Sequence, residues 1–255
     1  MIDAFFDRLR IPDSCRLDKP LFKKLFLDNA ELKAADKKAL SEDVSGIRWR
    51  YTLKPSSINI SAFTDEERDY GEVAILSVDL SSANRVKRLA AFMQQAIPYP
   101  LLLVFQHEGK VALSVADKRI NQADSSKIVV EERWLSPWFD PAAPTEIEAA
   151  FLEAVTLSKL PATNFYALYQ GLQAQVIAFI AAERTGQFQA ASAKVAPMHR
   201  AALRKIDGLE REISELRNAL KRESQMARKI SLNSEIKSRK DVIVQLEAEL
   251  TGASQ

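Results

Sequence analysis

Glu72-Val73-Ala74-Ile75-Leu76-Ser77-Val78-Asp79-Leu80 carries apolar residues on both of its faces. A strand of that kind is covered from both sides and is central in its sheet. Beyond it, Ser81 and Ser82 can cap a helix reaching about Ala96, with Val86, Leu89, Ala90 and Met93 at helical spacing. Pro98 and Pro100 stop that helix, and Leu101 to Phe105 is a second buried strand. A turn containing Gly109 leads to a hairpin partner, Val111 to Ala116, and Lys127 to Leu135 is a further strand. Upstream, Ile47, Trp49, Tyr51 and Leu53 alternate with Arg48, Arg50 and Thr52, the period of a half-buried strand. Ile58 and Ile60 suggest a short strand after Pro55, followed by a charged loop, Thr64 to Asp69.

The N-terminal part reads as helical. Met1 to Leu9 is amphipathic. Asp18 can cap a helix with Pro20 in its first turn and Leu21, Leu25 and Phe26 on one face, and Ala34 to Ser41 is rich in Lys and Ala. The expected fold class is α/β, a mixed sheet in α-β-β-β-α-β-β-β order, with a C-terminal helical, coiled-coil-like arm.

Three parts are expected: an α/β domain over 1–140, a helical region over 141–196 and the arm over 197–255. Pro137, Pro141 and Pro144 mark the first junction, and Pro197 the second. Between them Thr145 caps a helix from Glu146 to about Leu157, and Asn164 opens another to Ala182 with Leu168, Leu172, Val176 and Phe179 on one stripe. In the arm, Ile206, Leu209, Ile213, Leu216 and Leu220 follow the 3,4 spacing of a coiled-coil seam. The frame then slips, and Leu232, Ile236, Ile243, Leu246 and Leu250 define a second register. The slip permits either one continuous helix, on the order of 75 Å long, or a bend between two. The seam is the expected surface for a homo-oligomer or a partner.

Composition narrows the function classes. The chain has 255 residues with 47% hydrophobic and 27% charged, enough for a sizeable core. Its net charge of +2 is too small for a polycation, so nucleic-acid contact would need a local patch. The 7 glycines leave little room for phosphate-binding loops, and no cofactor is expected. A single cysteine, Cys15, and two histidines, His107 and His199, build no metal cluster, and both histidines read as surface residues. A lone cysteine points to a reducing, cytoplasmic compartment, and no apolar run has the length of a membrane helix.

The element order α–β–β–β–α–β is that of a restriction-endonuclease-like core. Such nucleases use an acidic residue and then an acid-x-lysine motif on the third strand to hold a metal. Here Glu72 and Asp79 are the carboxylates of that strand, and no lysine follows two residues after either. They are the candidate metal ligands of an alternative reading, a nuclease-like DNA-binding domain, active or degenerate. Arg48, Arg50 and Lys54 join basic and aromatic residues at a strand end and could meet phosphates or a small anion. The plainer account puts Trp49, Tyr51 and Leu53 in the core and the arginines on a solvated face. Lys118, Arg119 and Lys127 form a second polar cluster that is either a binding loop or an ordinary connection. From Arg228 to Lys240 the arm is basic, with only Glu235 before Asp241 to offset it.

Several segments together resemble a known family. Lys23-Lys24-Leu25-Phe26-Leu27, the run from Trp49 to Asn59, Ile97-Pro98-Tyr99-Pro100, Lys118-Arg119-Ile120-Asn121-Gln122 and Asn233-Ser234-Glu235-Ile236-Lys237 are similar to the bacterial domain of unknown function family 4391. The resemblance extends over nearly the whole chain and implies no established activity. It implies a setting, beside DNA methyltransferases and helicases of restriction-modification-like systems. The expectation is therefore a non-enzymatic accessory or scaffolding subunit in antiviral defence, docking such a partner.

Overall fold

The computed structural model describes residues 2–124, 127–192 and 195–251. They fold as two compact units, Met1–Ile180 and Ala181–Gln255. The division expected at 141 falls instead inside a helix, because the helices after Pro141 belong to the core of the first unit.

The first unit is built on a six-stranded mixed sheet. Its strands are β1 (Arg16–Pro20), β2 (Val44–Leu53), β5 (Val73–Leu80), β6 (Leu101–His107), β7 (Lys110–Ile120) and β8 (Ile128–Leu135), adjacent in that order. Only β5 and β6 run parallel. Helix α4 (Val86–Ala96) makes the crossover that a parallel pair requires. A separate two-stranded hairpin, β3 (Phe63–Thr64) and β4 (Asp69–Tyr70), lies between β2 and β5 in sequence. The strand expected at Ile58 and Ile60 is absent. A turn at Lys54–Ser57, in which Ser57 accepts the Lys54 amide, occupies the chain there.

The α/β class and the mixed sheet are as expected, but the element order is not kept: two helices stand between the first two strands of the sheet, and a two-stranded hairpin between the second and third. Residues 16–20 form the edge strand β1, where a capped helix was expected, so the strand over 47–53 is the second in the sheet. Asp18 takes φ +49 at a bulge in β1 instead of capping a helix. The helix after it, α2 (Lys23–Asn29), starts later, and α3 (Ala34–Asp43) follows. Helix α4 begins at Val86 rather than at the serines, with Arg85 held at its start by Asp43. Ser81 and Ser82 are in the connection.

One face of the sheet packs Ile47, Leu76, Val78, Leu103 and Phe105 against α2, α3 and α4. The other face is covered by α1 (Ile2–Leu9), α5 (Glu146–Ala154) and the first part of α6 (Phe165–Thr185). Thr145 and Glu148 form the capping box that starts α5, and the Asn164 side chain accepts the Ala167 amide at the start of α6. Phe139, Phe151 and Phe179 form a ring cluster, with Phe151 and Phe179 stacked at 4.2 Å. The buried Tyr169 hydroxyl accepts the amides of Leu101 and Ala116 and donates to the Leu101 carbonyl. These contacts explain why α6 is apolar. By length and composition α6 would pass as a membrane span, which the sequence reading did not foresee, but more than half of its apolar window is buried.

The second unit is a helical hairpin. Helix α7 (Val195–Arg222) and helix α8 (Met226–Leu250) run antiparallel. His199 Nε2 meets the Leu250 carbonyl at 3.2 Å, and Arg239 meets Glu212 at 2.7 Å. Both pairs are centred on the turn at Gln225. Of the two options left by the slipped seam, the structure takes the bend, so the arm is about 40 Å long and not 75 Å. Pro197 sits inside the first turn of α7, where a proline costs no hydrogen bond.

Candidate functional site

Three places hold the residues singled out from the sequence. The first is a polar corner at β1 and β2. The register of β2 on β5 slips between Trp49 and Tyr51, so Arg50 is an extra residue at a bulge. That sends Arg50 to the α1 side, where its guanidinium lies 4.8 Å over the Phe6 ring. It meets Asp3 at 2.6 Å and Asp18 at 3.8 Å. Arg48 donates to the Asp18 carbonyl at 2.9 Å and meets its carboxylate at 3.4 Å. Asp79 belongs to the same corner, at the rim. Burial pushes its carboxyl up from the ordinary range, and Arg50 and Arg48 partly reverse this. A Cβ on Gly46 would stand 3.1 Å from Asp79 Oδ2, so the glycine makes room for the carboxylate.

This corner is balanced within itself. Arg48 and Arg50, expected as phosphate contacts, are committed to carboxylates of the same chain. Glu72 is paired with Lys54 at 3.2 Å and stands just before β5, while Asp79 is near its far end. Seven residues of strand put them roughly 23 Å apart, so they cannot share a metal ion. The Lys54 amine, offered as an anion ligand, is taken by Glu72. Cys15 is buried, with its Sγ 3.4 Å from Ser57 Oγ.

The second place is at β7. The sequence reading ended this strand at Ala116, but it continues to Ile120, with a register shift between Asp117 and Lys118. Lys118 is 4% exposed. Its amine donates to the carbonyls of Ile97 at 2.7 Å and Tyr99 at 2.8 Å. Burial lowers its pKa to about 7. An amine so enclosed holds the chain beyond α4 in place and has no face toward a phosphate, which corrects the binding-loop expectation. Arg119 is paired with Glu131 at 2.8 Å on the neighbouring strand, and Lys127 with Asp124 at 3.1 Å. The six basic candidates are therefore not gathered. Three strand spacings, roughly 14 Å, separate β2 from β7.

What Lys118 braces is a groove. Ile97, Pro98 and Tyr99 form one wall, Leu21, Leu25, Phe26 and Ala30 the other, and Trp49 lies between, enclosing about 280 Å³. Trp49 is fixed by its indole N–H, which donates to Thr52 Oγ1 at 2.8 Å and to the Tyr51 carbonyl at 3.0 Å. Its ring meets Tyr99 edge-on at 6.4 Å. Among the described side chains of α2 only Phe26 is buried in the core; Phe22 is 77% exposed, and Leu17, Leu25, Leu27 and Tyr99 are also exposed. Four of the five segments that carry the family resemblance contribute to this groove, through Leu25, Phe26, Trp49, Ile97–Tyr99 and Lys118, and the fifth, Asn233–Lys237, lies in α8.

The third place is the seam of the arm. Ile206, Ile213, Ile236 and Leu246 are buried, and Leu209, Leu216, Leu220 and Ile243 are half-buried. These positions serve the packing of α7 on α8, so the seam expected for an oligomer or partner is used within the chain. His199, expected at the surface, is buried beside Leu250 because the hairpin closes over it. His107 is half-buried, with Nδ1 3.1 Å from the Leu80 carbonyl.

The family model described as Domain of unknown function (DUF4391) matches residues 9–242, and the chain belongs to that family. Neither a curated protein nor a solved structure matches it.

Proposed function

We propose that this chain is a non-enzymatic docking subunit whose groove at α2 receives an amphipathic helix of a DNA-processing protein. The observation that carries this is the apolar lining of the groove, in which Leu25 and Tyr99 are large apolar side chains left exposed. Large apolar side chains gathered at a concave surface mark an interaction site. The occupant is a helix with an apolar stripe and acidic flanks, because Lys19, the register partner of Trp49, and Lys24, next to Leu25 in α2, are exposed. A partner of this kind seats its apolar stripe in the groove and its carboxylates on the lysines. The setting implied by the family makes a methyltransferase or helicase of a restriction-modification-like defence system the partner to test, in the cytoplasm.

The nuclease-like alternative rests on an element order that the sheet does not keep, since α2 and α3 separate β1 from β2. Against it stand the residues: β5 offers Ser77 and Asp79 where an acid-x-lysine motif is needed, and guanidinium groups face Asp79 where a metal would have to sit. We favour docking on that ground.

The test is co-expression with a methyltransferase and, separately, a helicase of a restriction-modification-like system, followed by size-exclusion chromatography. Leu25→Glu puts a carboxylate into the groove from an exposed position and should leave the fold intact. The expected result is co-elution of the wild-type chain with the partner and loss of co-elution for the variant. A wild-type chain that elutes alone, or a variant that still co-elutes, refutes the proposal.

A further inference from the structure

The tip of the α7–α8 hairpin differs from the rest of the arm in how its charges are met. Nearer the base, arginines have carboxylates: Arg184 with Glu210 and Glu247, Arg211 with Asp207, and Arg239 with Glu212 and Glu235. From Leu216 to Ile230 the chain holds Arg217, Lys221, Arg222, Arg228 and Lys229 against Glu223 alone, a net +4 compared with +2 for the whole chain. None of these five cations has a carboxylate at ion-pair distance among the described residues. Glu223 accepts the amides of Ser224 and Gln225 at 2.8 and 2.9 Å, and these bonds, with Arg228 and Lys229 nearby, hold its carboxyl below the ordinary range.

The register of the hairpin sharpens this. Pairs centred on Gln225 place Arg222 level with Arg228 and Lys221 level with Lys229, so like charges gather at the tip. Like charges gathered at one end repel one another, and they add no ion pair to the hairpin as Glu212 and Arg239 do. A polyanion removes the repulsion by placing its charges among the cations. Beside them Met226 is 73% exposed and Ile230 64% exposed, one turn apart on the same side of α8. Two apolar side chains are too few to hold a helix in a lipid surface by burial, but they suit contact with sugars or base edges between phosphates.

We propose that the hairpin tip binds the phosphate backbone of a nucleic acid, with Arg222, Arg228 and Lys229 on phosphates and Met226 against the sugar or base edge. This does not depend on the groove, which lies in the other unit.

The full-length protein is titrated into a labelled DNA duplex of arbitrary sequence and followed by fluorescence anisotropy between roughly 50 and 200 mM salt. The same titration is run with the triple variant Arg222→Gln, Arg228→Gln, Lys229→Gln. Wild type is expected to bind, with affinity falling steeply as salt rises. The variant is expected to bind at least ~10-fold more weakly, with a log–log salt slope shallower by about 3, near 0.9 per lost phosphate contact. Met226→Ala should weaken binding without changing the slope. Glutamine is a good helix former, so the variant should melt no lower than wild type. No binding by wild type, or equal binding and slope in the variant, overturns the proposal. So does a lower melting point, which would make the cations structural. Binding to phosphatidylserine vesicles in place of the duplex also overturns it.

Discussion

Replacing Lys118 with methionine keeps the apolar stem and removes the amine that holds the wall of the groove. Two carbonyls lose their donor, that of Ile97 in a buried bond and that of Tyr99 in a partly buried one. A buried acceptor left without a partner costs about 1–3 kcal/mol, and solvent reaches Tyr99, so the expected loss is ~2–4 kcal/mol in urea unfolding. The pH dependence gives a sharper signature. Burial lowers the amine to about 7 from an ordinary 10.5. Between those values the unfolded chain carries a proton that the folded chain has released, so stability rises with pH, at most by ~1.4 kcal/mol per unit. From pH 7 to pH 9.5 that amounts to ~3 kcal/mol. The neutral amine keeps two N–H donors, so both carbonyl bonds survive the loss of the proton. The range stops at 9.5 because burial pushes the phenols of Tyr70 and Tyr169 up, and these act with the opposite sign in alkali. Unfolding midpoints measured across this range should climb for wild type and stay flat for Lys118→Met. A variant that keeps the wild-type slope, or that loses less than ~1 kcal/mol at pH 9.5, refutes this reasoning.

Two further outcomes test the packing. Burial lowers the imidazole of His199, so on acidification the unfolded chain takes up its proton first. The hairpin should therefore be at full stability above the ordinary histidine value of 6.5 and weaken below it, by up to ~1.4 kcal/mol per pH unit. Melts followed by circular dichroism at pH 7.5 and 5.5 should differ for wild type and converge for His199→Leu. At the polar corner, Gly46→Ala gains the usual ~0.4–1 kcal/mol of backbone entropy but crowds Asp79 at 3.1 Å. The substitution should be neutral or harmful in wild type and stabilising in an Asp79→Ala background, a coupling of about 1 kcal/mol in a double-mutant cycle. Additive effects would show that the carboxylate does not press on Gly46.

What the sequence makes legible follows from where the energy of each element comes from. The strands Val73–Leu80 and Leu101–His107 are read without error in kind because their own side chains carry their burial. Edge strand β1 is held by backbone pairing to β2, and Arg16-Leu17-Asp18-Lys19-Pro20 has one aliphatic side chain to show for it. An aspartate near a proline reads as a helix start, and only the partner strand decides otherwise. The hairpin turn is hidden for a similar reason. Glu223 stands at a seam position as an apparent flaw, yet its carboxylate ties the amides of Ser224 and Gln225 and so makes the reversal. Lys118 is legible as a charge, but its burial depends on the register shift in β7, which is a property of the strand pair.

The groove did leave a trace in the sequence. Leu25, Phe26 and Leu27 put apolar side chains on more than one face of a helix of 7 residues, Leu21 and Phe22 stand just before it, and so short a helix has one face to give to a core. The excess must be either buried by another element or left in water. In the structure Phe26 takes the core position and Phe22 is left almost wholly in solvent. A chain with 47% hydrophobic residues has ample material for its interior without them. Leaving Phe22 and Leu25 exposed forgoes about 1.5–3 kcal/mol of burial for each. An apolar stripe seated there, as proposed above, would recover that energy on binding, and this is the physical reason to look for a partner at α2.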